Sequence, residues 1–358
     1  MGLPEIIIDF KTKASTLLKR SARGIVLLIL NDATAETPYE TYTDEREAES
    51  AVDHWTADNL TCIRLAFLGK PSKVVCVRYS SESESRHFSD ALDDMQRIRF
   101  HYCAAPGASA DDETALCHFI RGQRAALKRT VKAVVTGNAN DVGLIRFTSE
   151  NISAPSVRQS PFSASEYTAR IAGLLAGLPV DRSATFYVLD EVESVDEKPD
   201  PNEFIDDGEL ILTGDGEKVK IVRAVNSKST LSPDEKPEIK KIRIVDAMDM
   251  IRDDVRTTFA DNYVGKVVNT YANKTAFCAA LNGYLKDLVR EGVLYDGFDN
   301  HVEIDLAAQE AYLKAHGTDT SAMTEEEIKT AGTGSYVFLT GQVMFADAME
   351  DLTLSIVM

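Results

Sequence analysis

The chain has 358 residues, which at about 150 residues per domain predicts roughly two domains. Its 39 Lys plus Arg stand against 57 Asp plus Glu, and a net charge of −18 argues against a broad grip on phosphate backbones or anionic lipid. With 44% hydrophobic and 27% charged residues, the composition is that of a folded globular protein and excludes a disordered chain.

The first element in chain order is a strand in residues 3–10, with Ile6, Ile8 and Phe10 on one face and Glu5, Ile7 and Asp9 on the other. The basic run Lys11 to Arg23 has no period and reads as a tether, so residues 1–23 form an N-terminal arm and tether. Met1-Gly2 opens like a myristoylation motif, but Ile6 stands where that motif needs Ser or Thr. The charged start predicts no signal peptide, and the apolar run Ile25 to Leu30 is far short of the roughly 20 residues that span a bilayer.

Residues 24–200 alternate strands and helices, the signature of an α/β domain on a doubly wound, mainly parallel sheet. Strands are predicted at Ile25–Leu30, Val74–Tyr79, Phe100–Ala104, Lys132–Thr136, Gly143–Phe147 and Thr185–Leu189, the first suited to burial on both faces. Helices are predicted around Leu60, Ile63, Ala66 and Phe67, over His87–Arg97, and over Asp111–Lys128 behind Ser109 and Asp112 as caps. A further helix opens at the capping box Ser163/Glu166 and closes at Gly177 and Pro179.

Residues 201–237 read as a β-hairpin around Gly214-Asp215-Gly216 followed by a linker. Residues 238–346 are predicted to be an α+β domain. Ile244, Met248, Ile251, Val255 and Phe259 make one helical stripe, and Phe277, Leu281, Tyr284, Leu285 and Leu288 make another that stops at Gly292. A strand at His301–Asp305, a helix at Leu306–Ala315, a capping box at Thr324/Glu327 and a strand at Tyr336–Phe345 follow. Residues 347–358 end in an arm strand, where Leu352, Leu354, Ile356 and Met358 alternate with Thr353, Ser355 and Val357.

The search for chemistry favours structural readings. Neither a Walker-type phosphate loop nor a GxGxxG fingerprint occurs, and the loop Gly137 to Gly143 lacks the lysine of the former. Gly107-Ala-Ser109 resembles a hydrolase elbow, but Asp111 replaces its second glycine. His101, Cys103, Cys117 and His118 have zinc-ligand types at spacings no common zinc module uses. The odd, dispersed cysteines, with Cys62, Cys76 and Cys278, predict reduced thiols. The acidic run Asp196 to Asp207 lacks the ligand order of a calcium loop. The residues therefore predict no catalytic, cofactor or metal site, and an enzyme reading rests on fold analogy alone. Apolar strands at both ends suggest strand exchange between subunits or pairing within one subunit, and pattern alone leaves both open.

Gly2 to Ala14 together with Lys19 to Val26 resemble the opening of contractile tail sheath proteins of phages and of R-type phage-tail-like bacteriocins. Tyr167 to Gly177, Gly265 to Thr270, Asn282 to Leu285 and Asp347 to Ile356 resemble the same family, in the same order along the whole chain. The resemblance implies no active site and no cofactor. It implies a homopolymer of stacked helical rings around a tail tube, which contracts from a metastable extended state and drives the tube through a cell envelope. Implied partners are further copies of the chain, the tube protein, and baseplate and tail terminator proteins, with no direct contact to nucleic acid. It also implies assembly in the bacterial cytoplasm, before the sheath leaves as part of a released particle. On this resemblance Leu3, Ile6, Ile7, Ile8 and Phe10 of the N-terminal arm, and Leu352, Leu354 and Ile356 of the C-terminal arm, are the inter-subunit contacts. A nucleotide-binding α/β enzyme and a strand-donating adaptor or chaperone are the alternatives.

Overall fold

A computed structural model describes residues 24–81 and 86–357. They form two compact units, one of residues 24–249 with 348–357 and the other of residues 250–347. The predicted N-terminal strand and tether lie outside the described residues.

The first unit contains, in chain order, β1 (Ile25–Asn31), β2 (Tyr39–Tyr42), α1 (Glu45–Ser50), α2 (Ala57–Phe67), β3 (Lys73–Tyr79), α3 (Phe88–Met95), β4 (Tyr102–Ala104), α4 (Ala110–Ala125), β5 (Lys132–Val135) and β6 (Leu144–Phe147). There follow β7 (Ile152–Ala154), β8 (Arg158–Phe162), α5 (Ala164–Gly177), α6 (Pro201–Asp206), β9 (Glu209–Leu210), β10 (Leu212–Gly214) and β11 (Val219–Ile221). Seven strands make one sheet in the order β2-β3-β1-β4-β5-β6-β9, parallel except for the β2–β3 pair.

Alternation along β1 shows how the sheet is covered. Val26, Leu28 and Leu30 enter a core shared with α2 and α5, whereas Ile25, Leu27 and Ile29 enter a second core shared with α3 and α4. Both faces are buried, as an all-apolar strand requires. Residues 201–237 contribute Leu210, Leu212, Val219 and Ile221 to the first core, so the hairpin β10–β11 packs with the α/β elements. Thr185–Leu189 is not a strand. Phe186 takes a left-handed backbone (φ 56°), which breaks the extended run and leaves only a bridge between Val188 and Lys220.

Helix α5 is buried from Tyr167 through Ala176, and its capping box is formed by Ser163 and Glu166 as the pattern predicts. Its glycines do more than end the helix. A Cβ on Gly173 would stand 2.1 Å from the Ala66 carbonyl oxygen, and one on Gly177 would stand 1.8 Å from that of Gly69. The backbones of α2 and α5 touch, and only glycine fits between them.

Two buried cations are neutralised locally. Arg78 lies over the Trp55 ring at 3.6 Å, donates to Glu40 Oε1 at 2.7 Å and to the His54 and Thr37 carbonyls, and so holds the β2 edge. Burial would raise the Glu40 carboxyl, but hydrogen bonds from Tyr42, His54 and Arg78 bring it down to about 2. Lys132 on β5 contacts Asp246 at 3.0 Å and Asp249 at 2.7 Å, and Arg124 reaches Asp249 at 2.8 Å. Burial would raise the Asp249 carboxyl, yet Lys132 and Arg124 hold it below the usual range. These pairs fasten the start of α7 (Ile242–Asn262) to the sheet.

The second unit holds the rest of α7, then α8 (Tyr271–Arg290), β12 (His301–Ile304), α9 (Leu306–Ala315), α10 (Glu325–Thr330) and β13 (Leu339–Gln342). Phe277, Leu281, Tyr284, Leu285 and Leu288 of α8 are buried, and Tyr284 donates to Asp254 at 2.7 Å. Phe259, Tyr263 and Phe277 stack with centroids 4.4 to 5.9 Å apart. The strand predicted over Tyr336–Phe345 shortens to Leu339–Gln342. Its first residues are held in a turn, where Thr333 Oγ1 donates to the Tyr336 carbonyl at 2.6 Å. No described helix is long and apolar enough to cross a membrane.

Two outcomes follow from this packing. Gly173→Ala is expected to lower the urea midpoint by an amount equivalent to roughly 1–3 kcal/mol or more. Gly122→Ala, in α4 with nothing within 4 Å of the new methyl, is expected to be neutral or slightly stabilising, and equal effects of the two would refute the helix contact. Asp249→Asn is expected to cost about 3–5 kcal/mol at neutral pH, because Arg124 loses its anion and Lys132 loses one of its two. That contribution is present above the unfolded carboxylate pKa of about 3.9 and is lost as pH falls through the lower folded value, so the deficit should shrink in acid-unfolding curves.

Candidate assembly surfaces

The turns after β1 and β5 are held by the protein's own carboxylates. At the end of β1 the Asp32 carboxylate accepts from Thr34 N at 2.8 Å, Thr56 N at 2.9 Å and Asn59 Nδ2 at 2.7 Å, so the start of α2 already faces an anion. Burial would raise the Asp32 carboxyl, but these bonds, Asn59 first, pull it below the usual range. The loop after β5 is pinned by Glu113, which accepts from Thr136 N at 2.8 Å and from Gly137 N. Ser109 caps α4, and Asp200 caps α6.

All five cysteines are free and buried, and burial pushes the Cys117 thiol up to about 11. Cys103 and Cys117 point into the core while the adjoining His118 is exposed. Among the described residues no three His, Cys, Asp or Glu side chains converge to hold a metal.

The C-terminal tail is anchored at Glu350 and Asp351 and open beyond them. Glu350 Oε1 accepts from Ser183 Oγ at 2.9 Å and Thr185 Oγ1 at 2.6 Å, while Oε2 faces Lys241 at 3.6 Å and Arg223 at 3.9 Å. Arg223 also donates to Asp351 at 2.6 Å. Immediately past this clasp Leu352, Leu354 and Ile356 are 88%, 72% and 77% exposed, and Val357 is 93% exposed. The predicted strand Asp351–Met358 carries no strand pairing over 351–357. A ladder needs a partner strand, and none within the described chain reaches this segment. These alternating apolar side chains stand in water on a folded subunit. The other predicted contacts, Leu3, Ile6, Ile7, Ile8 and Phe10, lie outside the described residues.

The second unit carries a two-stranded antiparallel sheet, β12 with β13, an arrangement of marginal stability alone. Asp305 N donates to the Phe338 carbonyl at 3.1 Å, which fixes the bonded pairs as Asp305/Phe338, Glu303/Thr340 and His301/Gln342. By parity the backbone groups of Leu339 and Gly341 point outward from β13, and no described residue bonds them. The segment 263–270 packs beside a cleft of about 490 Å³ lined by Phe259, Tyr263 and Phe277, with Val264 and Val268 exposed. Asn269 Nδ2 fixes it by donating to the Gly334 and Tyr336 carbonyls, each at 2.8 Å.

Sequence reasoning alone missed Glu350, Asn269 and Asn282 as contact makers. Asn269, Asn282 and Glu350 all lie in segments that carry the family resemblance. Glu350 is one acid among many and has no distinguishing pattern.

Residues 234–358 match the phage tail sheath C-terminal domain. The chain is 34% identical over 368 aligned positions to the tail sheath protein of Clostridium phage phiCD119, covering all of this chain and 99% of that protein. The helical sheath of the anti-feeding prophage in its contracted state is similar in fold, with TM-score 0.70 at 13% identity over 100% of this chain and 99% of that one. The sheath tail protein of Desulfitobacterium hafniense gives 0.69 at 15% identity over 84% and 94%. That of Listeria innocua gives 0.68 at 14% over 94% and 98%. With a full-length relative at that identity, this chain belongs to the phage tail sheath proteins.

Proposed function

We propose that the chain is the sheath subunit of a contractile tail, polymerising as stacked helical rings around a tail tube and joined to its neighbours by exchanged arm strands. The observation that carries the arm mechanism is the anchored tail, with apolar side chains in water beyond Glu350 and an open sheet edge at Leu339 and Gly341 available in another copy. The structure of the contracted anti-feeding prophage sheath and that of the same particle's baseplate support self-association and attachment at a baseplate. The tube protein and the tail terminator are the other partners of this reading. Assembly takes place in the bacterial cytoplasm, and the doubly wound α/β unit is the rigid body that the arms connect.

Magnitudes favour cooperative assembly. Burying Leu352, Leu354 and Ile356 is worth about 1.5–3 kcal/mol each, and ordering each backbone residue costs about 1–2 kcal/mol. Over six residues these terms nearly cancel, so one arm binds weakly and its backbone hydrogen bonds tip the balance. An arm on a clasped root links subunits while letting their rigid faces exchange partners during contraction. The free energy released in contraction is then energy stored at assembly.

Replacing Leu354 and Ile356 with Asp, or deleting residues 1–12, is expected to leave folded subunits that form no tubes in electron micrographs, and intact tubes after both changes would remove the arm mechanism. Glu350→Ala frees the root of the tail and adds about one residue's ordering cost, about tenfold in the critical concentration for polymerisation measured by sedimentation. An unchanged critical concentration would show that the clasp plays no part.

A further inference from the structure

The two edges of the small sheet in the second unit are not equivalent. Asn282 projects from α8 onto β12, where its Oδ1 accepts from Val302 N at 2.7 Å and its Nδ2 donates to the Val302 carbonyl at 2.9 Å. One amide side chain thus makes, with one residue, the pair of bonds that a neighbouring strand would make. The register assigns those Val302 groups to the side of β12 facing away from β13, since the ladder bonds run through His301, Glu303 and Asp305. On β13 the corresponding groups of Leu339 and Gly341 carry no such plug among the described residues. Gly341 also lies close against β12. A Cβ there would stand 2.6 Å from the His301 carbonyl oxygen, so this central position of the open edge keeps no side chain.

We infer that Asn282 seals the β12 edge by imitating a strand, so that residues 352–357 of a second copy enter the sheet only along β13. A further arm then has to pair with the arm already docked, because the hairpin itself has one vacant edge. This rests on the arm-exchange reading above and adds to it a direction of growth. The occupant fits that edge. Residues 352–357 are exposed, apolar on alternate positions and without a partner strand among the described residues, and they are long enough to cover Leu339 to Gly341. Docking on β12 instead would require Asn282 to be displaced from both Val302 groups.

Cysteine pairs in purified tubes distinguish the edges, because a disulfide needs Cα atoms within about 7 Å and a strand two places away is out of reach. Leu352→Cys, Leu354→Cys or Ile356→Cys is combined with Thr340→Cys or Gln342→Cys on β13, and separately with His301→Cys or Glu303→Cys on β12. The expected result is inter-subunit bridges to β13 positions only. Bridges to His301→Cys or Glu303→Cys overturn the inference while keeping arm exchange, and tubes that bridge to neither strand overturn docking of this arm on the hairpin altogether. Asn282→Ala is expected to speed hydrogen exchange of the Val302 amide in unassembled subunits by roughly tenfold and to allow bridges to Glu303→Cys. An unchanged Val302 exchange rate shows that Asn282 is no plug, and the bridge pattern of the Asn282-bearing tubes stands as the test should Asn282→Ala fail to fold.

Discussion

A backbone amide or carbonyl at the rim of a sheet must be bonded to something, and this requirement organises the molecule. The seven-stranded sheet meets it by length and by coverage, with the short antiparallel strand β2 at one rim held by Arg78, Glu40 and the Thr37 carbonyl. The two-stranded sheet of the second unit meets it by halves. One rim receives the Asn282 amide, and the other is unpaired among the described residues. Among the described residues the hairpin has no third strand of its own, and on the arm-exchange proposal its neighbours complete it.

The first unit is built to resist the load that such completion brings. Helix α5 is buried for nearly its whole length and crosses α2 with the two backbones in contact, which leaves little freedom for sliding. The cation at Lys132 and the anions at Asp246 and Asp249 are poor investments in net stability compared with a packed apolar core, but each has a single geometry in which it is tolerated. Rigidity in the body and freedom in the tail are therefore encoded by different chemistry: steric contact and paired buried charge in one, exposed alternating residues beyond a polar clasp in the other.

Much of this was legible in the residues. The parallel sheet follows from apolar runs spaced by helical patterns, and the boxes at Ser163/Glu166 and Thr324/Glu327 follow from short-range rules that need no tertiary context. The failures are instructive for the same reason. Thr185–Leu189 looks like a strand, but Phe186 turns left-handed where the chain meets the β10–β11 hairpin, a long-range cause invisible in a local window. Glu350 meets Ser183, Thr185, Arg223 and Lys241, each more than 100 positions away, and no periodicity announces such a meeting. Asn282 stands between Leu281 and Leu285 on a helix face otherwise given to the core, a polar residue in an apolar register. The tail is the opposite case: its alternation was plain, and among the described residues no strand pairs with it.

The net charge of −18 bears on how such subunits store energy. In the proposed assembly, bringing many acidic copies together adds a net repulsion that acts within a Debye length, about 8 Å at physiological ionic strength. An arm of nearly zero net binding energy cannot overcome that alone, but a lattice of arms can, because each docked strand raises the effective concentration of the next. An array held by strand pairing against that net repulsion need not be at its minimum. On the arm-exchange proposal, subunits rearrange while the strands stay paired and never pass through a separated state, and this is the condition that a one-stroke contraction has to satisfy.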